Sequence, residues 1–142
     1  MKNNINIIVD EKTHIERVDQ FLAKKCNNIS RNRIKNLIIN KNLKIFIQIN
    51  IGDESQKSGI HPNDVKDFIE VSLNKYHISF EGLMCLPPEG KDPREYFDKL
   101  KDLSFSNKLE KLSMGMSGDY LSALDSGATH IRVGSLIFGQ RT

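Results

Sequence analysis

Apolar and polar positions alternate along the tail of the chain in a way that predicts its elements. Leu112 to Met116 is a short apolar run, and Ser117-Gly118-Asp119 interrupts it. Tyr120, Leu121 and Leu124 recur at helical spacing, and Gly127 closes that helix. Thr129 to Val133 reads as a strand, followed by Gly134-Ser135. The same rhythm runs upstream. Ile45 to Ile51 is apolar apart from Gln48 and Asn50, which suits a strand buried on both faces, and Gly52-Asp53-Glu54 turns the chain. Pro62 marks a helix start, with Val65, Phe68, Ile69 and Leu73 as its inner face. Ile78 to Met84 is the next strand, and Pro87-Pro88-Glu89-Gly90 is a loop. Asp92-Pro93-Arg94-Glu95 starts a helix with a cap, a proline in first position and an acid three after the cap. Phe97, Leu100 and Leu103 line it.

Strands alternating with helices predict parallel βα units, hence an α/β fold. Residues 1–44 read differently. Ile5 to Val9 suggests a short strand, and Ile15, Val18, Phe21 and Leu22 mark a helix face that Asn27-Asn28 ends. Ser30 caps a second helix with Ile34, Leu37 and Ile38 inside.

Two strand ends in the tail offer backbone N–H groups and small hydroxyls, at Ser117 and at Gly134-Ser135, with Arg132 beside them. A helix starting at Ser117 would aim its positive end there, an arrangement that holds phosphate. An ordinary strand–helix–strand unit with glycine turns would show the same local pattern. The wording is more specific. LSMGMSGD and IRVGSLIFG resemble the C-terminal motifs of the YggS/PROSC pyridoxal phosphate homeostasis family, whose fold is like the barrel of alanine racemase. KSGI at Lys57–Ile60 and GLM at Gly82–Met84 match it too. The resemblance implies that residues 45–142 are the later part of a (β/α)₈ TIM-type barrel, about four βα units, with the site at the C-terminal ends of the strands. It implies cofactor binding by Met116, Ser117, Arg132, Gly134 and Ser135, with Arg132 facing the phosphate or the pyridine nitrogen. It further implies a protein that carries cofactor rather than one that turns over a substrate.

Composition narrows the classes. The chain has 142 residues, 38% hydrophobic and 27% charged, so it is globular. No apolar run approaches the ~20 residues that span a bilayer, no membrane partner is expected, and the N-terminus lacks a signal peptide's apolar core. Cys26 and Cys85 are isolated, which suits the cytoplasm, and the four histidines form no metal pattern. No catalytic residue is expected.

The net charge of +3 is unevenly spread. Residues 1–44 hold ten Lys/Arg against four Asp/Glu, and residues 45–142 hold eleven against fourteen. A basic segment beside an acidic one suggests different partners. In residues 15–44, R-x-D-x-x-L-A (Arg17, Asp19, Leu22, Ala23) and S-R-x-R-I (Ser30, Arg31, Arg33, Ile34) resemble the ribosomal protein S-four-type RNA-binding domain of RluD-type pseudouridine synthases, cut short. That resemblance implies RNA contacts from Arg17, Ser30, Arg31, Arg33 and Lys35, without a pseudouridine synthase catalytic domain. NLKIFIQINIGDE fits both resemblances, and no linker divides them. The expectation is therefore a chimera, divided into residues 1–44 and 45–142.

The strands expected to carry the family's Schiff-base lysine have no counterpart here, and Lys57 lies in a different motif. Pyridoxal phosphate binding is thus expected to be weak or lost. Four strands of a barrel would also leave two open sheet edges that invite self-association. Three readings stand: a shortened cofactor-binding protein, an RNA-binding fragment, and a fusion remnant without function.

Overall fold

The computed structural model describes residues 18–26, 29–40 and 44–139. The chain divides into two compact units, Met1–Lys44 and Ile45–Thr142. In the first, α1 (Val18–Lys25) and α2 (Arg31–Ile39) form a helix pair. Ser30 is extended (φ −65°, ψ 150°), and its hydroxyl accepts from the Arg33 N–H at 3.4 Å, the N-cap that the sequence predicts. Ile34 is buried on α2. The expected strand Ile5–Val9, Ile15, Arg17 and the Asn27-Asn28 stop lie outside the described residues.

The second unit runs β1 (Phe46–Ile49), a 3₁₀ turn (Pro62–Asp64) leading into α3 (Val65–Tyr76), β2 (Gly82–Cys85), α4 (Pro93–Ser106), β3 (Lys111–Met116), α5 (Tyr120–Asp125), β4 (His130–Arg132) and α6 (Ser135–Phe138). The strands pair in parallel in the order β1-β2-β3-β4. Parallel neighbours need crossovers, and here each crossover is a helix. Every strand therefore ends at the same edge of the sheet.

Register decides the core. Ile47 sits opposite Leu83, Leu83 opposite Leu112, and Ile49 opposite Cys85. With Met114 these side chains are buried against Val65, Phe97, Leu100 and Ala123 from the helices. Alternation sends Phe46, Gln48, Met84 and Ser113 to the other face. There Phe46 of β1 meets His130 of β4 edge-on, with ring centroids 5.0 Å apart. In a flat sheet those outermost strands would stand roughly 14 Å apart. The sheet is curled like a sector of a barrel.

Several elements differ from expectation. The strand predicted from Ile78 starts only at Gly82. His77 ends α3 in the left-handed region (φ 55°), and the Ile78 N–H goes back to the Ser72 carbonyl at 3.0 Å, so this stretch closes the helix. On α3, Val65 and Ser72 are buried and Ile69 packs on the core. The expected inner residues Phe68 and Leu73 are 41% and 51% exposed. The helix after β3 begins at Tyr120 rather than Ser117, because the Asp119 carboxylate takes the Met116 N–H at 2.6 Å and holds a turn.

Nor are both sheet edges open. The KSGI loop returns along the outer edge of β1, where Ile60 forms a parallel bridge with Ile49. The Ile60 N–H donates to the Gln48 carbonyl at 2.8 Å, and the Asn50 N–H donates to Ile60 at 3.0 Å. Gly59 (φ +134°) lies so close to β1 that a Cβ there would stand 2.7 Å from the Asn50 nitrogen.

Gly115 is a tight point beside the strand ends. Its φ is +91°, and a Cβ there would meet the Ala123 Cβ at 2.6 Å and the Tyr120 Cα at 3.1 Å. Gly115→Ala is expected to cost about 2 kcal/mol or more in urea unfolding. Gly118→Ala, where nothing lies within 4 Å, should change stability by less than about 0.5 kcal/mol. Equal effects would rule out this account of the α5–β3 contact.

Candidate functional site

The shared C-terminal edge of the strands carries polar groups drawn from four connections. β3 leads into Ser117, whose Oγ lies 3.4 Å from the Gly134 nitrogen and 3.3 Å from the Leu136 nitrogen, accepting from both. The turn after β4 thereby folds over the turn after β3. Of the residues expected to hold a phosphate, Ser117 and Gly134 are in direct contact and Ser135 lies between Gly134 and Leu136 in the same turn. These bonds are long for N–H···O, so the two N–H groups can be redirected to a ligand oxygen at little cost. A Cβ at Gly134 would meet nothing within 4 Å, so the space above the turn is open. Met116, the fifth expected residue, leaves its side chain half exposed at the end of β3.

Arg132 does not turn toward that cup. Its Nη1 donates to the Ser113 carbonyl and to Ser113 Oγ, each at 2.8 Å, and its Nη2 donates to the Cys85 carbonyl at 2.9 Å. The guanidinium thus reaches from β4 over β3 to the last carbonyl of β2. Burial pushes its pKa down, while the nearby Cys85 and Asp119 act in the opposite direction.

Lys57 comes to the same edge from the KSGI loop. Its Nζ donates to the Pro87 carbonyl at 2.9 Å and pairs with the Glu54 carboxylate. The sequence reading missed three contributors. Ser113 looked like one more member of an apolar run, Asp119 like a turn residue, and the Leu136 N–H has no side-chain signature. Lys57 and Cys85 were visible but unassigned. In the first unit Arg31, Arg33 and Lys35 are exposed, and Ser30 is engaged as a cap.

A curled sector of four parallel βα units, with its polar groups collected at the C-terminal ends of the strands, defines a piece of a βα barrel. The chain belongs to the alanine racemase N-terminal domain family, whose model matches residues 1–142. It is 32% identical over 148 residues to the pyridoxal phosphate homeostasis protein of Aquifex aeolicus, covering 98% of this chain and 63% of that protein. It is 38% identical over 111 residues to the protein of the same name from Pasteurella multocida, covering 71% of this chain and 48% of that one. Among solved structures it resembles PipY of Synechococcus elongatus with PLP bound, at TM-score 0.60 and 25% identity, over 76% of this chain and 55% of PipY. The chain thus spans about half to two thirds of the length of these relatives. The family match runs through residue 44 without a break. It gives no support to a chimera, to an RluD-type segment or to an RNA partner.

Cys85 is fully buried, and burial pushes its thiol up to about 12, with Asp119 adding to the rise and Arg132 and Lys57 opposing it. Its thiol should resist iodoacetamide at pH 8 in the folded protein and react once urea unfolds the chain, as read by peptide mass spectrometry. The unfolded thiol ionises near 9.0 and the folded one near 12, so stability should fall as pH rises from about 9 toward 12. Cys85→Ala should flatten that part of the pH profile.

Proposed function

We propose that this chain binds pyridoxal 5′-phosphate as the later portion of a homeostasis-type barrel, and carries the cofactor rather than turning over a substrate. The observation that carries the reading is Ser117 Oγ gathering the Gly134 and Leu136 N–H groups at the C-terminal edge of the sheet. In a chain of this family, that cluster suits the cofactor's phosphate. Ser135 adds a second hydroxyl in the same turn.

Arg132 then suits the ring nitrogen better than the phosphate. Its Nη groups run toward β2, away from the Ser117–Gly134 contact. When bound, the cofactor supplies an aldehyde and an electron-withdrawing ring. A cationic donor at the ring nitrogen, in place of a carboxylate, leaves that nitrogen unprotonated and weakens the ring as an electron sink. Such a site favours holding the cofactor over reacting with it. Lys57 is engaged by Glu54 and the Pro87 carbonyl, so the chain's hold on the cofactor is expected to come from phosphate and ring contacts.

The test is a titration with pyridoxal phosphate followed by absorbance, then borohydride and mass analysis. Saturable binding without covalent trapping is expected, with inorganic phosphate competing. Ser117→Ala should weaken binding about tenfold, the scale of one charge-assisted hydrogen bond. Trapping on a lysine would overturn the non-covalent part of the reading, and absence of binding would overturn the whole.

A further inference from the structure

We infer that Ser113 is a positioning residue for ligand recognition, which sets the guanidinium of Arg132 across the strand ends so that its remaining donors face the ring of the bound ligand. The inference rests on the pyridoxal phosphate reading above and adds to it the device that gives ring selectivity.

Ser113 is buried in the middle of β3, between Leu112 and Met114, where a hydroxyl costs free energy unless it is bonded. Its hydroxyl lies 2.8 Å from Arg132 Nη1. A planar guanidinium has five N–H donors in a fixed fork. Ser113 takes both donors of Nη1, one through its carbonyl and one through its hydroxyl, and the Cys85 carbonyl takes one donor of Nη2. One N–H on Nη2 and the N–H on Nε then remain. Main-chain carbonyls alone would locate the guanidinium, but they leave the second Nη1 donor unpaired and the fork free to turn. The hydroxyl fills that vacancy and fixes the plane. Which two donors remain for a ligand is therefore decided by Ser113.

Phosphate recognition uses Ser117, just past the end of β3, and the turn at Gly134. The bonds from Arg132 to the Ser113 and Cys85 carbonyls, which tie β4 to the sheet and so place that turn, are to main-chain acceptors that Ser113→Ala keeps. The two functions can be separated with two ligands. Pyridoxal phosphate has a phosphate and a ring nitrogen, whereas benzyl phosphate has a phosphate and a ring without the nitrogen. The wild-type chain is expected to prefer pyridoxal phosphate in equilibrium titrations. Ser113→Ala should reduce that preference about five- to tenfold while leaving benzyl phosphate binding unchanged, and Ser113→Thr, which keeps the hydroxyl, should restore it. Arg132→Lys cannot reproduce the fork, so it should lose the same preference, and Ser113→Ala added to it should cost nothing further.

A Ser113→Ala chain that keeps the preference, or that loses both ligands in proportion, overturns the inference and leaves the function reading intact. So does an additive loss in the double variant. A wild-type chain that binds neither ligand overturns the function reading, and this inference with it.

Discussion

The reach of one arginine across three strands is the interaction on which the site depends. Parallel strands end with unpaired carbonyls at their C-terminal edge, and water ordinarily satisfies them. Here Arg132 leaves β4, passes over β3 and satisfies the last carbonyl of β2 while also bonding twice to Ser113. The bonds are charge-assisted and partly shielded from solvent, which makes them stronger than neutral ones. They join β4, the shortest strand at three residues, to the body of the sheet. Thr129 does the same at the other end of the strand, with its hydroxyl accepting from the Leu112 N–H at 2.8 Å and donating to the Leu112 carbonyl at 3.1 Å. Held at both ends, β4 presents the Gly134 turn to Ser117 in a fixed place.

Close backbone approach is the second constraint. Gly59 lets a loop lie against β1, and Gly115 lets α5 descend onto β3. Gly82 lets the Lys111 carbonyl of the neighbouring strand pass where a side chain would stand. These contacts explain why glycines appear inside otherwise apolar stretches. The curl of the sheet, visible in the Phe46–His130 contact, depends on the same economy of side chains, since Gly82 lies opposite Phe46 in the register.

How far the chain could be read from its sequence follows from where each signal resides. The order of βα units was legible because burial on both faces of parallel strands and one face of each helix leaves a periodic record. Asp92-Pro93 predicted the start of α4, and the structure has Asp92 accepting from the Arg94 N–H at 3.0 Å. The inner face of α3 was misjudged because Phe68 and Leu73 are apolar yet half exposed, while buried Ser72 carries no hydrophobic mark. The start of β2 at Gly82 rather than Ile78 is not legible, because a left-handed His77 is not a pattern that hydrophobicity reports. At the candidate site, the contact between Ser117 and Gly134, with Ser135 in the same turn, falls on residues that the motif wording singles out. Ser113 was not, because its meaning lies in a partner nineteen residues away. The N-terminal segment misled in the opposite sense. A serine cap followed by arginines is what many exposed helices show, so a local match there weighs little against a family match that spans the chain.

The two ends of the proposed site contribute unequally, and for different reasons. In the proposed reading, phosphate would be recognised mainly by backbone N–H groups, which any phosphate ester satisfies, so affinity from that end would be undiscriminating. Selectivity has to come from the ring end, and there the chain offers a guanidinium whose donors are mostly committed to carbonyls and a serine. A committed donor set loses little conformational freedom on binding, which lowers the entropic cost of recognition. It also cannot swing toward the phosphate or toward a passing carboxylate. The same bonds that secure β4 to the sheet thus restrict what the arginine can bind, and stability of the fold and choice of ligand rest on one set of contacts.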